Sequence, residues 1–176
     1  MTSAVIWLTG LSGSGKSTLA HWVATELKRE GRPVEVLDGD AMRAVFPNTG
    51  FSKAERDEHI KRVGFLASRL EAHGVTVVAS FVSPYRESRD FVRGLCRHFV
   101  EVHVATPLDE CERRDVKGLY AKARRGEVAA FTGISDPYEP PAKPELVVDT
   151  SRLSVEQAGR LVLQVLAERV QSAEKG

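Results

Sequence analysis

Apolar residues in this chain gather into short, mostly unbroken runs at 4–8, 34–37, 75–81, 99–104 and 146–148. Each run has the length of a strand, and continuous apolar character marks strands buried on both faces. Between the runs the pattern changes to helical spacing. After Ser52, the residues Ile60, Val63, Ala67 and Leu70 recur on one helix face until His73-Gly74 ends the stretch. After Ser154 a second stripe holds Val155, Ala158, Leu161, Val162, Val165 and Leu166, and the tail from Gln171 to Gly176 is polar and expected to fray. Ser52 with Glu55, and Ser154 with Gln157, match the capping box in which side chains satisfy the first free N–H groups of a helix. Strands alternating with helices predict an α/β fold: a parallel five-stranded sheet between two helical layers.

One stretch breaks the rhythm. From Asp115 to Pro144, Arg, Lys, Gly and Pro are dense and no long apolar period survives. A long, weakly patterned insertion in a small domain reads as a functional lid, mobile until ligand arrives. The full length of 176 residues suits a single domain spanning 1–176.

Composition narrows the partners. With 25 basic and 24 acidic residues the chain carries no global field to hold nucleic acid or an anionic membrane. Any anion site is local. No apolar run could span a bilayer, nothing N-terminal resembles a signal peptide, and Cys96 and Cys111 sit on different predicted helices without metal-ligand spacing. A reducing cytoplasm is the expectation.

The strongest chemical signal is Gly10, Leu11, Ser12, Gly13, Ser14, Gly15, Lys16 and Ser17, followed by Thr18. It fits the phosphate-loop pattern between a strand and a helix-compatible run to Glu30. Glycines let the backbone wrap ATP phosphates with N–H groups, Lys16 reaches the β and γ phosphates, and the Ser17 hydroxyl suits magnesium. Such a loop serves kinases, GTPases and motor ATPases alike. The run to Phe81 leads into Ser83-Pro84-Tyr85 with no acid, whereas Asp38-Gly39-Asp40 closes the second strand. A carboxylate there can hold magnesium or orient an attacking hydroxyl; a tight turn is the structural alternative.

Beyond the loop, the chain resembles adenylylsulfate kinases, P-loop enzymes that phosphorylate the 3′-hydroxyl of adenosine 5′-phosphosulfate with ATP. The resemblance rests on Gly10 to Thr18, Leu37-Asp38-Gly39-Asp40 with Arg43, Gly50-Phe51-Ser52 with Arg56, Ser83-Pro84-Tyr85-Arg86, and Asp115 to Glu127 leading into Phe131-Thr132-Gly133-Ile134. It implies a P-loop NTPase-like three-layer sandwich with a lid, acting on nucleotide substrates with Mg2+. By resemblance, Phe51 and Phe131 sandwich the acceptor adenine beside Ile134, Arg43 and Arg56 grip the phosphosulfate, and Lys122 with neighbouring lid cations closes over the phosphates. Asp40, with Asp38 behind it, takes the magnesium or hydroxyl role, and Ser83 matches a serine described in the family as a phosphorylated intermediate. Direct transfer is the simpler expectation, because phosphoryl transfer needs positioning and charge neutralisation more than a covalent relay. From residues alone, the two rings could be core, the arginines solvated charges and Ser83 a loop cap. The resemblance also implies a homodimer and a functional link to an ATP sulfurylase.

Three positions depart from the family pattern. Ala41 replaces an asparagine, and His59 and Lys61 stand where asparagine and arginine face the acceptor. His59 alone reads as an exposed helix residue. The substitutions raise a second hypothesis, a kinase for a different nucleotide-linked hydroxyl, and a third is a regulatory nucleotide-binding module with poor turnover. A panel of acceptors separates the first two, and turnover itself tests the third.

Overall fold

In the computed structural model, which describes residues 2–47 and 49–174, five parallel strands form one sheet: β1 Val5–Thr9, β2 Val34–Asp38, β3 Thr76–Ser80, β4 Phe99–Val104 and β5 Leu146–Val148. Their order is β2-β3-β1-β4-β5. β1, β3 and β4 are central, and all five residues of β1 and of β3 are buried, in keeping with their largely apolar sequences and helices on both faces.

Among the described residues the seven helices are α1 Lys16–Arg29, α2 Gly39–Val45, α3 Lys53–Ala72, α4 Arg86–Leu95, α5 Leu108–Arg114, α6 Leu119–Arg124 and α7 Val155–Glu174. Alternate strand residues feed two cores. Ile6, Leu8, Val78, Val102 and Val104 meet Leu19 and Val23 of α1 and Ala158, Val162 and Leu166 of α7 on one face. Val5, Trp7, Val77, Ala79 and Phe99 meet Ile60, Val63 and Ala67 of α3 and Val92 of α4 on the other. The result is the three-layer sandwich expected from the pattern.

Both capping boxes form. The Glu55 N–H donates to Ser52 Oγ and the Ser52 N–H to Glu55 Oε2; Gln157 and Ser154 exchange the same pair. One stripe residue is misplaced in the sequence reading: Leu161 is exposed. The buried line runs Ala158–Val162–Leu166, and Leu161 lies about 100° round the helix from its centre. The tail also differs: α7 continues as far as Glu174, while Lys175 and Gly176 lie outside the described residues. No helix among the described residues is long and apolar enough to cross a membrane.

From β1 the chain passes β3 to reach β2 at one edge, and from β3 it crosses β1 to β4 on the other side, so the strand order reverses between β3 and β1. In open α/β sheets that point, at the carboxyl edge, is where ligands gather. Pairing of Leu8 with Ser80, Thr9 with His103 and Asp38 with Ser80 aligns the ends of β1, β2, β3 and β4 along that edge.

Candidate functional site

The phosphate loop joins β1 to α1. Gly10 has no room for a side chain, because a Cβ would lie 2.4 Å from the Val104 carbonyl oxygen. Gly15, the residue that caps α1, has φ +98°, in the region that favours glycine. The carbonyls of the loop are held from outside: Thr106 and Thr150 hydroxyls donate to the Ser14 oxygen at 2.9 and 2.6 Å, Arg114 to the Gly13 oxygen at 3.2 Å, and Tyr120 to the Ser12 oxygen at 2.7 Å. A trans peptide points its N–H opposite its carbonyl, so these bonds aim N–H groups away from the braces. Lys16 is 8% exposed; its ammonium donates to the Leu11 oxygen at 2.8 Å, and burial pushes its pKa down to about 8. Ser17 and Thr18 are exposed at the start of α1.

The Asp38-Gly39-Asp40 triplet is a helix start rather than a tight turn. Asp38 caps α2, its Oδ1 accepting the Ala41 N–H at 2.9 Å, which commits that oxygen. Asp40 stands free of the backbone, its side chain 78% exposed, and pairs with Lys117 Nζ at 2.6 Å. Lys117 belongs to the insertion and carries no separate role in the sequence reading, which named Lys122; Lys122 is exposed on α6. Ser17 and Asp40 offer hard oxygen donors, the chemistry that suits a magnesium ion carrying its own waters and nucleotide phosphates. Among the described residues no group of three His, Cys, Asp or Glu side chains could hold a metal unaided.

A second set of residues surrounds Phe51, which is 60% exposed, and Phe131, which is half-buried. Neither belongs to the two cores. The Arg43 guanidinium lies 4.5 Å from the centre of the Phe51 ring and that of Arg56 5.9 Å from it. Arg43 also donates to the Thr49 and Gly50 carbonyls. Its pKa is lowered, by burial first and then by the charge of Arg56, a crowding that an anion would relieve.

Arg56 is no solvated surface charge. It is buried, and it ties α3 to the insertion through Thr132 Oγ1 at 2.9 Å, Asp136 Oδ2 at 3.2 Å and the Ala130 carbonyl. One guanidinium therefore spans from Phe51 to both neighbours of Phe131. Tyr85 donates to the same Asp136 oxygen at 2.6 Å. Ala130 takes φ +51°, a strained value for a residue with a Cβ, directly before Phe131. Ile134 lines an open cavity of about 500 Å3 with Leu11, Asp136 and Tyr138, and Arg43 lines another of about 600 Å3.

Three sequence readings need correction. His59 is buried, not exposed: its ring meets Phe46 and Phe81 edge-on, both ring nitrogens are without partners, and burial lowers its pKa to about 4. Lys61, two residues on and about 200° round α3, lies over the Phe91 ring of α4 at 5.2 Å and so leaves the His59 face. Ser83 is 2% exposed, and its hydroxyl accepts the Trp7 indole N–H at 3.1 Å and donates to Thr9 Oγ1 at 3.0 Å. Arg89, fully buried beside Glu101 at 3.4 Å, donates to the Ser83 and Glu139 carbonyls and fixes this loop.

The insertion is also better organised than its composition suggested. It contains α6, whose Tyr120 is buried, and it is pinned at Arg56, Tyr85 and Ser12.

A sequence profile described as Adenylylsulphate kinase matches residues 2–149. The chain belongs to the adenylylsulphate kinase family. An adenylyl-sulfate kinase of Synechococcus sp. (strain JA-2-3B'a(2-13)) is 53% identical over 165 residues, covering 93% of this chain and 94% of the relative. One from Halothermothrix orenii is 48% identical over 165 residues, covering 93% and 89%. Among solved structures, the Mycobacterium tuberculosis APS kinase in complex with AMPPNP and APS superposes with a TM-score of 0.90 at 40% identity, over 94% of this chain and 98% of that one. Similarity to this family thus runs through the loop, the Phe51 cluster and the insertion.

Proposed function

We propose that this adenylylsulphate kinase family member transfers the γ-phosphoryl group of ATP to the 3′-hydroxyl of adenosine 5′-phosphosulfate, giving ADP and 3′-phosphoadenosine 5′-phosphosulfate. The observation that carries the reading is the convergence of Arg43 and Arg56 on the exposed Phe51 ring, with Arg56 bonded on either side of Phe131. Two rings outside the core suit an adenine, and two guanidiniums suit the phosphosulfate. The phosphate loop holds the donor, with N–H groups of the Gly10 to Thr18 segment and Lys16 on its phosphates.

In the transfer, the acceptor 3′-oxygen forms a bond to the γ-phosphorus while the bond to the β–γ bridging oxygen breaks. Lys16 neutralises charge on the phosphates. Asp40 orients the hydroxyl and accepts its proton, which then passes to solvent as ADP leaves, because Asp38 is committed to its cap. Ser17, with Asp40 as the other candidate donor, would hold magnesium, which would supply further charge neutralisation on the donor phosphates. Lys117, paired with Asp40, joins Lys122 as a lid cation of this site. Ser83 serves as a post for the loop, since its hydroxyl already bonds Trp7 and Thr9.

The free thiols of Cys96 and Cys111 support a reducing cytoplasm as the working compartment. A homodimer and an ATP sulfurylase supplying the acceptor complete the proposal; sedimentation of the purified chain as a monomer at micromolar concentration would remove the former. The function is tested by ATP consumption across a panel of nucleotide acceptors. Turnover should be highest with adenosine 5′-phosphosulfate, and preference for another nucleotide-linked hydroxyl would replace this reading.

A further inference from the structure

Tyr120 links the two halves of the site. Its hydroxyl donates to the Ser12 carbonyl at 2.7 Å, and its ring packs edge-on against Phe131 with centroids 5.0 Å apart and planes at 81°. The side chain is 1% exposed, so neither contact competes with water. Asp115 fixes the start of α6 by accepting the Tyr120 and Ala121 N–H groups at 2.9 and 3.1 Å. The ring cannot shift without moving one of its two partners.

The consequence lies in the Ser12–Gly13 peptide. Thr106, Thr150 and Arg114, which brace Ser14 and Gly13, come from segments bordering β4 and β5. The Ser12 carbonyl is held by the insertion instead, the same segment that carries Phe131. Because the peptide is planar and trans, holding that carbonyl outward turns the Gly13 N–H toward the interior of the loop, where a phosphate oxygen would accept it. A ring stacked on Phe131 restrains Phe131, which restrains Tyr120, which restrains this N–H.

We propose that Tyr120 is a positioning residue through which acceptor binding at Phe131 tightens the phosphate loop on the donor nucleotide. The proposal rests on the acceptor reading of Phe131 given above. Coupling of this kind is reciprocal, so each nucleotide raises the affinity of the other by the same factor.

The test is the affinity for AMPPNP, measured by calorimetry with and without saturating adenosine 5′-phosphosulfate, in the unsubstituted protein, Tyr120→Phe and Phe131→Leu. Tyr120→Phe keeps the ring and removes only the hydroxyl. We expect the acceptor to tighten AMPPNP binding about fivefold or more in the unsubstituted protein. In Tyr120→Phe that factor should fall to within about twofold of unity, while the acceptor alone still binds. Phe131→Leu should reduce the factor from the other end of the link. An unchanged factor in Tyr120→Phe, or no coupling in the unsubstituted protein, overturns the proposal and leaves the acceptor site standing. Failure of adenosine 5′-phosphosulfate to bind the unsubstituted protein overturns both. A mere loss of stability would lower the melting temperature without moving the coupling factor.

Discussion

Donor binding should weaken about tenfold between pH 7 and pH 9, because Lys16 must be charged to meet phosphate and its pKa is pushed down to about 8 by burial. At pH 7 about nine-tenths of the free protein carries the Lys16 charge; at pH 9 about one-tenth does. Bound phosphates raise the pKa again, so the lost fraction appears as lost affinity, about 1.4 kcal/mol for a tenfold change. With magnesium in excess, the cation's charge keeps the nucleotide phosphates ionised across this window, so the titration reports Lys16. Calorimetry with AMPPNP in two buffers of different ionisation enthalpy reads the same event as proton uptake. Uptake should be near zero at pH 7 and approach one proton per nucleotide by pH 9. The unfolded chain, with Lys16 at its ordinary 10.5, holds a proton between pH 8 and 10.5 that the folded protein lacks. The penalty of burying Lys16 is therefore full below pH 8 and fades as pH rises through that window. Affinity that stays flat from pH 7 to 9, with no proton uptake, would refute the reasoning.

Three further outcomes follow from the geometry. Ser83→Ala should leave appreciable turnover but lower stability by about 1–3 kcal/mol in thermal melts, because the buried Trp7 N–H and Thr9 hydroxyl lose a partner; complete loss of turnover in a folded variant would restore the covalent role. Phe51→Ala should weaken acceptor binding by about 1–3 kcal/mol with little change in melting temperature, since the ring is 60% exposed; a large melting shift with unchanged acceptor affinity would return Phe51 to a packing role. His59, lowered to about 4 by burial, makes the fold acid-sensitive: the unfolded chain binds its proton first, so stability should fall as pH drops from about 6.5 toward 4, and His59→Phe should flatten that part of the profile in denaturant titrations. An equally steep profile in His59→Phe would place the acid sensitivity elsewhere.

The sheet and the phosphate loop were legible in the sequence because their signals are local. Strand-length apolar runs, two capping boxes and Gly15-Lys16-Ser17 can be read within a few residues of one another. Arg56 was legible as a site residue by resemblance, but its partners Thr132 and Asp136 lie 76 and 80 residues away, so its burial and its tie to the insertion could not be read. The same holds for Tyr120, 108 residues from Ser12. Helix phase explains the errors on α3: the stripe Ile60, Val63 and Ala67 was found, yet His59 belongs to its flank and packs on Phe46 and Phe81, while Lys61 turns toward α4. Asp38 stands close behind Asp40 in the sequence reading because a chain of letters does not show which carboxylate caps a helix.

The most direct test of the account is the product itself. Incubation of the protein with ATP, magnesium and adenosine 5′-phosphosulfate, followed by 31P NMR, should show a new monoester phosphorus on the 3′-oxygen, one ADP per product, and no product with Lys16→Ala. Consumption of ATP without a 3′-monoester, or a 3′-monoester formed equally well by folded Lys16→Ala, would contradict it.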